Sequence, residues 1–107
     1  MTVLATNVVC QAGGTTVVTL SFESQQSGSS SDRASFRIVR RRDGQADVVL
    51  PSAPQFYMGA NRDIRSWTFI DVGVPDTATY AYVVQIMRLA GGGTFYAMNL
   101  VANHYRR

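Results

Sequence analysis

His104 is the only histidine of the 107-residue chain and is followed two and three residues later by Arg106 and Arg107. A histidine does acid-base work when a nucleophile or a carboxylate stands in a recognisable spacing to it, and no such spacing is present. The residue therefore reads as a surface or interface histidine. The acidic residues Glu23, Asp32, Asp43, Asp47, Asp63, Asp71 and Asp76 are scattered and form neither a calcium loop nor a metal motif. Cys10 is the lone cysteine, so an internal disulfide and a cysteine metal cluster are both excluded, and its apolar neighbours Val8 and Val9 point to a buried, inert thiol. The run Gly91, Gly92, Gly93 lacks the Lys-Ser/Thr pair of a phosphate loop and leads into no helical pattern, so it reads as a turn.

Arg40, Arg41 and Arg42 are the only basic run. Strand alternation sends Arg41 with Arg37 to one face and Arg40 to the other, which disperses the charge and favours a solvated or interface strand end over a phosphate-binding patch. All ten basic residues are arginine and the net charge is only +3, too little to argue for nucleic acid. These residues name no catalytic apparatus, no cofactor and no metal, and the chain is expected not to be an enzyme.

The elements that must position these residues are strands. Apolar residues make up 46% of the chain and charged residues 16%, enough for one core and rather little charge for a monomer's surface. Period-two alternation recurs in residues 16–23, where Val18, Leu20 and Phe22 oppose Thr19, Ser21 and Glu23, and in residues 34–41, with Phe36 and Ile38 inward. Residues 64–72 place Trp67 and Phe69 against Ser66, Thr68 and Ile70. Residues 80–89 are apolar on both faces, as in a central strand covered on both sides. Residues 94–105 alternate Tyr96, Met98 and Leu100 against Phe95, Ala97 and Val101, a final strand expected to run antiparallel to the preceding one. Residues 2–10 and 47–50 complete about seven strands.

Turn chemistry supports this division. Gly13 and Gly14 close the first turn, and residues 25–32 form a polar, serine-rich loop. Asp43-Gly44 signals a short hairpin of type I′. Residues 51–61, with Pro51 and Pro54, wrap an end of the domain. Trp67, Phe69, Tyr80 and Tyr82 are expected to form an aromatic core cluster, with Asp71 bonding a backbone amide or a tyrosine hydroxyl. The expected fold is all-β: one antiparallel β-sandwich domain over residues 1–107, jelly-roll-like or immunoglobulin-like. Neither a cleaved signal nor a membrane span is indicated.

The stretch Trp67-Thr68-Phe69-Ile70-Asp71, then Pro75, then Thr79-Tyr80-Ala81-Tyr82-Val83-Val84-Gln85, then Gly91-Gly92-Gly93-Thr94, resembles a pattern of small β-sandwich modules of tailed-bacteriophage particles. Phe36-Arg37-Ile38-Val39-Arg40 with Asp43-Gly44 resembles an earlier strand and turn of the same pattern, which spans residues 34–103. Such modules are capsid decoration proteins, head fibres and tail-fibre tips, often trimers. The resemblance implies a virion structural protein on the outer capsid surface, bound to the major capsid protein or other virion proteins and to copies of itself, a trimer being favoured. No nucleic-acid or membrane partner is expected, from the small net charge and the lack of a long apolar stretch. Because Met1 directly precedes the first strand, leaving no room for a shaft, a capsid-bound module is expected ahead of a fibre tip. The alternative is a receptor- or glycan-binding fibre module presenting loops such as residues 25–32. A fibronectin III domain matches the Tyr-x-Tyr-x-Val strand too, but normally sits within a longer chain. Candidate contact residues are Val3 and Leu4 near the N-terminus, Phe56, Tyr57 and Met58 in the proline-containing loop, and the terminal Tyr105, Arg106 and Arg107.

Overall fold

The computed structural model describes residues 2–28, 30–50 and 55–106, apart from the side chains of Thr2 and Val3. Two antiparallel sheets pack face to face as a β-sandwich. The strands are β1 (Thr2–Cys10), β2 (Thr15–Gln25), β3 (Arg33–Arg41), β4 (Val48–Val49), β5 (Phe56–Tyr57), β6 (Asp63–Val72), β7 (Ala78–Ala90) and β8 (Thr94–Tyr105). The larger sheet has the order β1-β7-β3-β4, with β5 also paired to β3; the smaller has the order β6-β2-β8. Apart from the links among β3, β4 and β5, every connection crosses from one sheet to the other.

Alternation dictates which side chains meet between the sheets. In β2 every second residue from Thr16 to Ser24 is buried, so Val18, Leu20 and Phe22 reach the core while their neighbours stay at the surface. Phe36 and Ile38 of β3 and Tyr80, Tyr82, Val84 and Ile86 of β7 face them from the other sheet. The aromatic cluster joins Phe22, Phe36, Phe56 and Phe95, with ring centroids 4.8–6.2 Å apart. Trp67 and Phe69 form a separate pair at 3.9 Å. The expected grouping of these two with Tyr80 and Tyr82 is present, since Phe69, Tyr80 and Tyr82 share one buried core with Trp67 packed against it, and phenylalanines from β2, β3, β5 and β8 add to it.

Several expectations need correction. The final strand does not pair with β7: β8 lies along β2, with Thr15 opposite Tyr105 and Leu20 opposite Leu100, and residues 91–93 carry the chain from one sheet to the other. A bulge in β8 also changes its faces. Ser21 and Glu23 of β2 oppose Asn99 and Tyr96, so β8 holds one extra residue there, and Ala97 takes a positive φ of 47°. Phe95 consequently joins Met98, Leu100 and Ala102 against the core. β7 is central in its sheet, between β1 and β3, but its outer face is covered only in part: Val83 is buried against Val39 whereas Met87 and Leu89 are exposed. The turn at residues 42–45 has positive φ at Gly44 and not at Asp43, with Gln45 N–H donating to Arg42 O, which is a type II pattern in place of I′. Residues 51–54 of the proline-containing loop lie outside the described residues; beyond them the chain forms the unanticipated strand β5.

Candidate interaction surfaces

The contact residues expected from sequence are not brought together. Phe56 packs into the aromatic cluster and Met58 is 2% exposed, so neither is free to anchor a partner; the loop folds back on the core. Between them, Tyr57 points outward on β5, with its hydroxyl accepting from Arg33 at 3.3 Å. Leu4 is half-buried against the core. Tyr105 is exposed opposite Thr15 at the far end of the other sheet, and Arg106 is exposed beside Val9, Cys10, Gln11 and Thr77. The side chain of Val3 and the whole of Arg107 lie outside the described residues.

The polar residues that looked catalytically idle in the sequence form a network at one end of the sandwich. Gln11 N–H donates to His104 Nε2 at 2.9 Å, which leaves the proton on Nδ1, 2.9 Å from Thr16 Oγ1. Thr16 Oγ1 also lies 3.5 Å from Cys10 Sγ. Nearby, Tyr82 Oη donates to Asp71 Oδ2 at 2.7 Å, and Arg40 donates to both Asp71 oxygens at 2.9 and 3.0 Å. Burial, with the Asp71 carboxylate beside it, pushes the Tyr82 phenol above its usual range despite a hydrogen bond from Thr16. The tyrosine hydroxyl thus gives Asp71 one of the partners expected for it. Thr16, Cys10 and Tyr82 are buried to within 1% of completeness, and with His104 these groups tie β1, β2, β7 and β8 together.

Two further sites complete the polar chemistry. Arg41 pairs with Asp47 and Arg42 with Asp76, so each member of the arginine run holds a different aspartate. At the opposite end, buried Asp32 accepts from Ser27 N and Oγ at 2.7 Å and from Gly92 N at 3.0 Å. These donors hold its carboxyl below the ordinary value of 3.8. The serine-rich loop and the glycine turn are fastened to one carboxylate, a long-range pairing invisible in sequence. Among the described residues no group of three His, Cys, Asp or Glu side chains is placed to hold a metal ion. An opening of about 250 Å³ lies between β5 and β6, lined by Phe22, Phe36, Phe56, Trp67, Arg65, Ser66 and Gln55.

The outer faces of the two sheets differ in charge. The larger sheet presents Arg33, Arg37 and Arg41, every fourth residue of β3, against Tyr57, Gln85 and Asp47. The smaller sheet presents five rows across three strands, of which the last, Ile64, Glu23 and Tyr96, carries a charge, Glu23 pairing with Arg62 at 3.5 Å. Val72, Thr15 and Tyr105 form the first row, and Ile70, Val17 and Asn103 the second. Thr68, Thr19 and Val101 form the third, and Ser66, Ser21 and Asn99 the fourth. None of these twelve side chains is ionisable at neutral pH. Ile70 is 61% exposed and Val72 74%. A protein surface ordinarily carries a quarter to a third of charged residues, so these four rows are poor in charge, the nearest being Glu23 in the fifth row. Each strand's outer residues were visible in the sequence; their adjacency was not, because it depends on β8 lying beside β2.

Comparison of the chain with protein-family models, with curated proteins and with solved structures finds no match.

Proposed function

We propose that the chain is a virion structural protein, a capsid decoration module that works by binding: to the capsid surface and to copies of itself. The observation that carries this reading is the phage-module pattern of residues 34–103. Its pieces fall in order on β3 and the turn after it, on β6 ending in Asp71, on the Pro75 turn, on β7, and on the glycine turn into β8. A strand-built module whose polar residues are spent on internal clamps is also suited to contribute buried interface area and nothing chemical. Its residence on the outer capsid surface belongs to the same proposal.

The test is co-sedimentation of the purified chain with capsids of its own phage, formed without it. Saturable binding at a fixed ratio to the major capsid protein, together with slower release of packaged DNA on heating, is expected. Absence of capsid binding sinks the reading, and capture of a defined glycan by the isolated monomer would replace it with a receptor-binding fibre module.

A further inference from the structure

The opening of about 250 Å³ between β5 and β6 is walled by the rings of Phe22, Phe36, Phe56 and Trp67, and Arg65 is the one charged residue among its described lining. Arg65 and Trp67 share the inward face of β6, and Phe22 stands opposite Arg65 on β2. Arg40, Arg41, Arg42 and Arg62 each hold a carboxylate, whereas Arg65 has none among the described residues. Its Nη2 donates to Tyr57 O at 3.0 Å, and its guanidinium carbon lies 5.3 Å from the centre of the Phe56 ring. Its Nε–H is shut off from water and has no acceptor. We propose that this opening is a binding site for a small aromatic carboxylate, with the ring among the phenylalanines and Trp67 and the carboxylate on Arg65. The site goes beyond capsid binding and does not depend on it.

Each part of such a ligand answers a part of the wall. An apolar cavity of about 150 Å³ suffices for benzene, so the volume here takes one ring and a short acidic arm. Aromatic rings prefer edge-to-face and offset contacts with centroids about 4.5–7 Å apart. The phenylalanines already keep that spacing, at 4.8 Å for Phe22 with Phe36 and 5.7 Å for Phe36 with Phe56, so a flat ring joins the cluster in its own geometry. Water held against aromatic walls finds few partners, and a ring that displaces it gains by doing so. The guanidinium supplies the direction. A carboxylate matches its planar donor fork, and charge-assisted bonds of this kind are about twice as strong as neutral ones. Arg65 is only half-buried, so the pair gains from the apolar wall without the full cost of burying two charges.

Trp67 is the only tryptophan of the chain and lines the opening, so its fluorescence reports occupancy. The full chain is titrated with phenylacetate, with phenylacetamide, which keeps the shape and lacks the charge, and with acetate, which keeps the charge and lacks the ring. Phenylacetate is expected to change the Trp67 emission with a Kd of about 1 mM or below and to shift the amide resonances of Phe56 and Trp67. Phenylacetamide is expected to bind about tenfold more weakly, and acetate to leave the emission unchanged. Arg65→Met, whose stem still packs on Phe56, is expected to lose the preference for the acid, and Arg65→Lys to keep part of it, with circular dichroism following the fold of both. No response to phenylacetate at millimolar concentration overturns the site. Equal affinity of the wild type for acid and amide overturns the ligand class, as does a preference for the acid that survives in Arg65→Met. Shifts confined to the arginine row of β3 overturn the location. None of these results bears on capsid binding, which co-sedimentation decides.

Discussion

At the scale of residues, the same few polar side chains explain why the ends of the sandwich hold. Asp71 is 5% exposed and accepts from Tyr82 and Arg40, whose side chain is itself only 12% exposed. Tyr82→Phe removes one neutral donor and should cost about 1–2 kcal/mol in urea unfolding. Asp71→Ala leaves the Arg40 guanidinium buried and unpaired and should cost about 3–5 kcal/mol; a loss no larger than that of Tyr82→Phe would show that Arg40 finds water instead. Asp32 gives a pH dependence of known sign. Its folded pKa lies below the ordinary 3.8, so its stabilisation is fully present above that value and is lost as pH falls through the folded one. The amide resonances of Ser27 and Gly92 should therefore titrate together with a midpoint below 3.8; separate midpoints would mean that they do not share the carboxylate. The tyrosine partner of Asp71 could be anticipated from its place at a strand end beside a tyrosine-rich strand. Arg40 could not, since it lies 31 residues away on the other sheet.

At the scale of elements, alternation located the long strands to within a few residues, because hydrophobic side chains on one face of a strand must recur every second position. It failed where the period is broken. The extra residue in β8 puts Phe95 and Met98 on the same face, and no local signal marks the break: Ala97, in a left-handed conformation, is neither glycine nor asparagine. Ala97→Gly relieves that conformation and should stabilise by about 0.5–1 kcal/mol, raising the melting temperature by about 2–8 °C for a domain of this size. Unchanged or lower melting would show that the unfolded-state freedom of glycine outweighs the relief. Pairing partners were the other limit. The three glycines before β8 look like a tight hairpin, yet Gly91 sits against the Asp32 carboxylate and Gly93 against Met58, where an added Cβ has no room. Glycine here serves close approach between distant segments, which a reading of neighbours in sequence takes for a turn.

At the scale of the whole molecule, the larger sheet carries the outward arginines of β3 and the smaller sheet four uncharged rows with Glu23 beyond them, and the candidate contact residues of the sequence, spread over both, did not reveal it. The turn at residues 42–45 has a consequence of its own. Its tip is exposed, a side chain at Gly44 would meet nothing within 4 Å, and its base is clasped by Arg41 with Asp47 and by Arg42 with Asp76. A foreign peptide spliced in after Gly44 would lengthen a loop whose ends are already fixed, at an entropic cost that grows only with the logarithm of its length. The hairpin is thus a natural graft point, and one copy of the guest would be shown for every copy of the host.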